Sequence, residues 1–161
     1  MKLLSPAFKN GQYIPSEFTC DGERSFHEER NEIDTSPPLE IFDVPEKSKS
    51  LVLIVSDPNA PNGDWTHWLV WNIKPENQFI KRGQKPEGAT EGITSFGRTR
   101  YGGPCPPTGT HVYLFKLYAI DVVLPEDPSL TKSELRRMIE DHIIEKTLLR
   151  GYYERAHGEN F

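Results

Sequence analysis

The stretch His111-Val112-Tyr113-Leu114-Phe115-Lys116-Leu117-Tyr118-Ala119-Ile120-Asp121 contains only one charged residue, Lys116, before its last position. Successive side chains of a strand point to opposite faces of its sheet, and here both alternating sets are largely apolar or aromatic. Because both faces of such a strand are buried, we predict that it lies in the centre of a sheet. Two shorter apolar runs, residues 50–56 and 67–73, each stop just before an X-Pro pair and predict two further strands.

The rest of the chain is also typical of β-structure with one exception near the C-terminus. Weaker strand patterns lie around Ile14 and at residues 39–41, and the 14 prolines and 12 glycines favour turns over long helices. The exception begins at Thr131, which forms a capping box with Glu134. Apolar residues then recur at helical spacing, and we predict a helix that ends at Arg150-Gly151.

His142 lies on the apolar stripe of this predicted helix. A histidine in such a position is usually buried with its hydrogen bonds satisfied, so we expect His142 to belong to the core and not to a binding site.

Length and charge limit the class of protein. A chain of 161 residues is typical of one domain, residues 1–161, and the net charge of −5 argues against a nucleic-acid partner. The first residues lack the apolar core of a signal peptide, and no apolar run approaches the roughly 20 residues of a membrane span. We therefore predict a cytoplasmic protein. Its two cysteines, Cys20 and Cys105, lie outside any CxxC motif, and we expect reduced thiols in that compartment.

Two stretches each place a histidine among aromatic residues, beside loops rich in proline and glycine. The first, residues 57–68, runs from Asp-Pro-Asn-Ala-Pro to Trp-Thr-His-Trp and contains His67. The second, residues 101–113, runs from Tyr-Gly-Gly-Pro-Cys-Pro-Pro to His-Val-Tyr and contains His111. Rigid turns, backbone N–H groups, imidazoles and indoles together are typical of a small pocket for an anion or a polar head group. They do not by themselves specify a reaction.

These stretches occur in an order that resembles the phosphatidylethanolamine-binding protein family, and in particular its bacterial and archaeal branch, often called Raf-kinase-inhibitor-like. The resemblance spans nearly the whole chain and includes Cys20-Asp21-Gly22, residues 36–39, 57–61 and 65–68, Phe96-Gly97, and residues 101–107, 142–144 and 151–155. It implies two packed antiparallel sheets in Greek-key order, with a small anion pocket at one end. Together with the helix prediction, this gives a mostly β fold, a Greek-key β-sandwich with a C-terminal α-helix.

The resemblance also implies a set of pocket residues, namely Asp57, Ala60, Trp65, His67, Gly103, Pro104, His111 and Tyr113. His67 and His111 can donate hydrogen bonds to phosphoryl oxygens, and they do so more strongly when protonated. An imidazole ordinarily has a pKa of about 6.5, so its protonated form is accessible near neutral pH. The backbone of Gly102-Gly103 can approach an anion closely and point its amides at it. We expect Asp57 to orient an imidazole or to accept from an ammonium group. Trp65 and Tyr113 offer apolar walls and one donor each.

The sequence departs from the family pattern at several places. Asn59 stands where the family commonly has aspartate, and Val112 stands where it commonly has arginine. Residues 24–34 form an insertion of mostly charged residues, which we predict to be a surface loop. The alternative is an element that binds a partner or covers the pocket. In the family's fold the loops of Cys20 and Cys105 flank the pocket, which implies that these two residues lie near one another.

We predict a binding module for small anionic or phosphorylated ligands, such as phosphate, a phospholipid head group or a phosphorylated residue. By analogy it regulates protein kinases or proteases, and the bacterial relatives suggest a homodimer. No cofactor is predicted. Two alternatives remain open. Asp57, His67 and His111 could form a metal site with two histidines and one carboxylate. Cys105 and His111 could act as the nucleophile and base of a hydrolase, although no orienting residue is evident.

Overall fold

A six-stranded and a three-stranded sheet pack face to face in the computed structural model, which describes residues 1–22 and 34–155. The strands are β1 (Lys2–Leu4), β2 (Gln12–Tyr13), β3 (Leu39–Phe42), β4 (Ser50–Asp57), β5 (Trp65–Ile73), β6 (Gln78–Ile80), β7 (Thr90–Glu91), β8 (His111–Ile120) and β9 (Ile143–Tyr153). The helix α1 (Lys132–Ile139) lies between β8 and β9 in the chain, and a 3-10 turn covers Ser16–Phe18.

The order of the strands confirms the predicted β-sandwich. The larger sheet has the order β2-β9-β8-β4-β5-β7 and the smaller one β1-β3-β6. Strands β4, β5 and β7 follow one another in the larger sheet, and β8 returns beside β4, which is Greek-key order. The pairs are antiparallel with one exception in the described chain, since β2 runs parallel to β9.

Strand β4 is buried along its whole length because both faces of the larger sheet are covered. One face, which includes Leu53, belongs to the main core between the two sheets. On the other face, Val52 and Ile54 belong to a second cluster that α1 completes with Leu135 and Ile139. Strand β8 lies between β4 and β9, as its composition predicts.

The helix begins where we predicted and ends earlier. The Thr131 hydroxyl accepts a hydrogen bond from the backbone N–H of Glu134 at 3.1 Å, and the Glu134 carboxylate accepts from the N–H of Thr131 at 3.2 Å. The helix ends at Ile139, so the prediction of helix as far as Arg150 is wrong. The remaining residues form β9, which pairs with β8 over the whole of β8. Over a few residues, the spacing of apolar side chains fits both a helix and a strand, and the pairing of β9 with β8 decides for the strand.

His142 does not lie in the core. It occupies the turn between α1 and β9, where its side chain is partly exposed and its Nδ1 lies 2.8 Å from Oδ1 of Asp121. The prediction of a buried core histidine depended on a helix that has already ended, and it is wrong for that reason.

Replacing Thr131 with alanine should lower the free energy of unfolding by about 1 kcal/mol, because the N–H of Glu134 then loses its capping acceptor. Urea denaturation measures the change. Ser133→Ala is the matched control, since Ser133 is an exposed hydroxyl residue in the same helical turn. Equal losses in the two variants would contradict a capping role for Thr131.

Cys20 and Cys105 form a disulfide whose Cα atoms lie 5.4 Å apart. The predicted proximity is confirmed, and the expectation of reduced thiols is wrong. That expectation came from compartment chemistry, whereas the fold brings the two loops together. The backbone N–H of Cys20 donates to the Pro104 carbonyl at 3.1 Å, directly beside the bond.

Two further predictions concern the insertion at residues 24–34 and the absence of a membrane span. The predicted insertion, residues 24–34, lies outside the described residues except for Asp34. Within residues 1–22 and 34–155, the helix is too short and too polar to cross a membrane. The cytoplasmic location stays a prediction.

Candidate functional site

The two histidine stretches meet at one end of the larger sheet. Strand β4 ends at Asp57, and its antiparallel neighbours β5 and β8 begin at Trp65 and His111. The C-terminal end of β4 therefore lies beside the N-terminal ends of β5 and β8. A cavity of about 190 Å³ lies there, which we call the histidine cavity; it is lined by Asp57, Ala60, Pro61, Trp65, His67, Phe96, Cys105, Pro106, Pro107, His111 and Tyr113. Of the predicted pocket residues, Gly103 lines a neighbouring cavity, and Pro104 lines neither.

A β-bulge places His67 in this cavity. Val55 of β4 pairs with Trp68, and the next residue, Ser56, pairs with Thr66, so His67 has no partner on β4. A bulge of this kind redirects a side chain and is common beside binding sites. The imidazole packs edge-on against Tyr113, with ring centroids 5.2 Å apart.

The imidazole of His67 is held in one tautomer. Its Nδ1 lies 2.6 Å from the carbonyl oxygen of Gly102, which can only accept, so Nδ1 donates and Nε2 is the nitrogen left for a ligand. The residue is 3% exposed, and this burial lowers its pKa below the usual 6.5, while the Gly102 carbonyl and nearby carboxylates oppose the shift. Without a bound anion, His67 is therefore neutral around pH 7.

His111 is oriented by a carboxylate. Its Nδ1 lies 2.6 Å from Oδ2 of Asp57, and both residues are buried, at 8% and 4% exposure. The other carboxylate oxygen of Asp57 accepts from the N–H of Asn59 at 2.8 Å, and the Asn59 side chain in turn accepts from the N–H of Val112 at 2.9 Å. Asn59 and Val112, two of the positions that depart from the family pattern, thus join the loop after β4 to the start of β8.

The hydroxyl of Tyr113 is a buried polar group without a hydrogen bond of good geometry to any described residue. Burial raises the pKa of Tyr113 well above its usual value of 10, and the neighbouring Asp57 raises it further. The phenol therefore keeps its proton. Buried hydroxyls normally have a partner, and the Asp57 side chain and the Cys105 backbone are close enough to interact with this one.

Phe96 forms a wall of the cavity that the predicted residue set missed. Its ring packs edge-on against Trp65 at 5.5 Å and against His67 at 5.2 Å between centroids. The absence of a side chain at Gly102 makes this possible, because a Cβ there would lie 2.3 Å from the Phe96 ring. In the sequence, Phe96 lies beside Gly97 and outside both histidine stretches, and only the family motif points to it.

The two glycine amides that we expected to face an anion have other partners. The N–H of Gly102 donates to the carbonyl oxygen of His67 at 2.9 Å, and the N–H of Gly103 donates to the Asp34 carboxylate at 2.7 Å. This loop supports the histidine and does not present amides to the cavity. The expectation failed because the lack of a side chain lets a glycine backbone approach a ligand closely but does not determine which acceptor its N–H group will bind.

A family model described as phosphatidylethanolamine-binding protein matches residues 4–154, which is nearly the whole chain. The chain belongs to the phosphatidylethanolamine-binding protein family. A UPF0098 protein of Methanothermobacter thermautotrophicus is 39% identical to it over 97% of this chain and 100% of that protein. A UPF0098 protein of Pyrococcus abyssi is 42% identical over 96% of this chain and 86% of that protein.

Solved structures of the phosphatidylethanolamine-binding protein family share the fold. A homologue from Chlamydia trachomatis has a TM-score of 0.85 and 38% identity, covering 96% of this chain and 97% of that one. YbcL from Escherichia coli, described as a member of the mammalian family, has a TM-score of 0.83 and 28% identity, covering 96% and 98%. Membership of this family supports a general role in ligand binding.

Neither of the two alternative chemistries, a metal site or a cysteine hydrolase, fits the geometry of the histidine cavity. In the described part of the chain, no three His, Cys, Asp or Glu side chains are arranged to hold a metal ion. Asp57 is directed at the Nδ1 of His111, so the proposed set of two histidines and one carboxylate does not form. Cys105 is bonded to Cys20 and has no thiol to act as a nucleophile, which removes the basis of a cysteine hydrolase.

Proposed function

We propose that this protein binds small anionic ligands through a phosphoryl or similar oxyanion group in the histidine cavity. The observation that supports this most directly is the pair of buried imidazoles. Each is held at Nδ1 by an acceptor, the Gly102 carbonyl for His67 and the Asp57 carboxylate for His111. Each therefore keeps Nε2 as the nitrogen that can meet a ligand.

Proton uptake gives this site its preference for anions. A neutral imidazole that donates through Nδ1 has a lone pair on Nε2, which repels an anionic oxygen. A protonated imidazole donates through both nitrogens, and its second N–H can form a charge-assisted hydrogen bond to that oxygen.

The size of the cavity limits which part of a ligand enters it. A volume of about 190 Å³ is smaller than the roughly 300–1,000 Å³ of pockets that enclose a whole drug-sized molecule. It suits a phosphate, a lipid head group or the side-chain end of a phosphorylated residue, with the rest of the ligand outside. Regulation of a kinase or a protease, and a homodimer, are further proposals that rest on family analogy alone.

Affinity for sulfate should rise as the pH falls from about 8 to below 6.5, because the bound anion stabilises the imidazolium form of the buried histidine. The direction of this change follows from the coupling between proton binding and anion binding. Burial lowers the pKa of His67 in the free protein, the anion raises it in the complex, and the complex therefore binds more protons. Sulfate does not titrate in this range, whereas a phosphate monoester takes up a proton near pH ~6. Calorimetric titration measures the profile.

His67→Asn and His111→Asn are the test variants for this profile. Asparagine can keep a donor near the Nδ1 position, which preserves the contact to Gly102 or Asp57, and it removes Nε2. We expect each variant to lose most of the sulfate affinity at low pH. His142→Asn is the control, because His142 lies in the distant turn beside Asp121. A flat profile in the unmodified protein, or an unchanged profile in both test variants, would overturn the proposal.

A further inference from the structure

We propose that Asn62 is a modification site, where slow deamidation adds a negative charge at the edge of the histidine cavity. Asn62 lies in the loop between β4 and β5. Residues that line the cavity stand on both sides of it in the chain, with Pro61 directly before it and Trp65 three positions after it. The modification itself does not depend on the proposed function, whereas its effect on anion binding rests on that function.

Asparagine is a chemically labile residue, and it reacts most easily when glycine follows it. The backbone nitrogen of the glycine attacks Cγ of the asparagine, and glycine has no side chain to hinder the attack. A succinimide ring forms, and the side-chain nitrogen leaves as ammonia together with the proton of the glycine N–H. Water then opens the ring at either carbonyl and gives aspartate or isoaspartate. The reaction consumes water, releases ammonia and needs neither an enzyme nor an oxidant.

The chain contains two Asn-Gly pairs, and in the first of them, Asn10-Gly11, both reacting groups are held by β9. The backbone N–H of Arg150 donates to Oδ1 of Asn10 at 2.8 Å. The carbonyl oxygen of the same residue accepts from the N–H of Gly11 at 2.9 Å. The side-chain amide and the attacking nitrogen are therefore both fixed by one residue of the larger sheet, and the pair cannot react until these bonds open.

The second pair, Asn62-Gly63, is less protected. Asn62 is exposed, and its side chain has no hydrogen-bond partner within residues 1–22 and 34–155. The N–H of Gly63 donates to the carbonyl oxygen of Ala60 at 3.0 Å, which is a bond within a single turn. Such a turn can open locally without disturbing the sheet. Nothing lies within 4 Å of the place where a Cβ of Gly63 would be, so there is room for the ring to form.

Charge in this loop affects the histidine cavity. Burial lowers the pKa of His67, and the loop residue Asp64 is one of the carboxylates that oppose this shift. A carboxylate in place of the Asn62 amide adds a second negative charge two positions away, and this charge repels an anion in the cavity. Isoaspartate also lengthens the main chain by one methylene, next to the wall residue Pro61. Both products should therefore weaken anion binding.

Incubation of the freshly purified protein at mildly alkaline pH, followed by peptide mass spectrometry, measures the reaction at both pairs. Deamidation at Asn62 should be about fivefold faster than at Asn10, which is the factor that one additional hydrogen bond is worth. Asn62→Gln is the control, because glutamine keeps an uncharged amide but must close a larger ring that forms more slowly. The absence of a reaction at Asn62, or equal rates at Asn62 and Asn10, would overturn the proposal.

The variant Asn62→Asp reproduces the added charge and should bind sulfate about threefold less tightly than the unmodified protein. Calorimetric titration at a pH below the pKa of His67 measures this, because at higher pH the carboxylate also stabilises the imidazolium and offsets the repulsion. Asn77→Asp is the matched control, since Asn77 is an exposed asparagine after β5, at the end of that strand away from the cavity. Its affinity should not change.

Two outcomes of the sulfate titration have different meanings. Equal affinities of Asn62→Asp and the unmodified protein would overturn the effect of the modification on the cavity. If the unmodified protein does not bind sulfate at all, the proposed function fails. In that case mass spectrometry still decides whether Asn62 is modified, so the two failures are distinguishable.

Discussion

Replacing both bonded cysteines, in the variant Cys20→Ser/Cys105→Ser, should lower the free energy of unfolding by about 4.5 kcal/mol. The bond joins residues 85 positions apart, and in the chain-entropy model a cross-link of that span restricts the unfolded chain by about this amount. A loss of this size is a large share of the roughly 5–15 kcal/mol that stabilises an ordinary domain. Urea denaturation without reductant measures it.

The same experiment contains its own control. A thiol reductant should destabilise the unmodified protein and leave the double serine variant unchanged, because that variant has no bond to break. Equal stability of the two proteins without reductant would show that the cross-link does not contribute. The variant should also bind sulfate less tightly, since Cys105 lines the histidine cavity and the cross-link fixes that part of its wall.

Replacing Asp57 with alanine should cost about 3 kcal/mol of stability and lower sulfate affinity by about tenfold or more. The buried Nδ1 of His111 would lose its acceptor, which costs about 1–3 kcal/mol, and the N–H of the exposed Asn59 would lose a further hydrogen bond. The affinity falls because the His111 ring is then free to turn and to change tautomer.

Thermal melting and calorimetry separate the two effects of Asp57→Ala. Glu126→Ala is the control, because it removes one carboxylate from an exposed position away from the site. Asp57→Asn distinguishes the charge from the shape of the side chain, since the amide can still accept one hydrogen bond. Tighter sulfate binding in either Asp57 variant would mean that the carboxylate repels the anion more than it orients the histidine, and this would contradict its assigned role.

Much of the fold was predictable because burial on two faces leaves a clear pattern in sequence. The runs that became β4 and β8 are apolar on both alternating faces, and only a central strand with covered faces explains them. The capping box at Thr131 was equally clear, because it depends on residues three apart. The end of α1 was not predictable in the same way. The segment after Ile139 has apolar residues that fit a helix, and only its pairing with β8 decides for a strand.

The site was predictable in its residue types and less so in its contacts. Asp57 accepts from His111, which is one of the two roles expected for this carboxylate. The position of His67 depends on a bulge, and a one-residue register shift leaves no local mark in the sequence. The wall formed by Phe96 depends on a residue some thirty positions from its neighbour Trp65. Pairings of this kind are set by tertiary structure and not by local pattern.

The parallel pair between β2 and β9 has a consequence for the order in which this protein folds. Gln12 lies opposite Gly151, so this pairing closes a loop that contains most of the chain. Closing a long loop loses conformational entropy before the contacts that stabilise the pairing have formed. Proteins with many such long-range pairings therefore fold slowly. The β8 and β9 strands are joined through a single short helix and can meet early. On the ribosome, β2 would therefore wait unpaired until β9 has emerged, with the edge of the larger sheet exposed to other chains in the meantime.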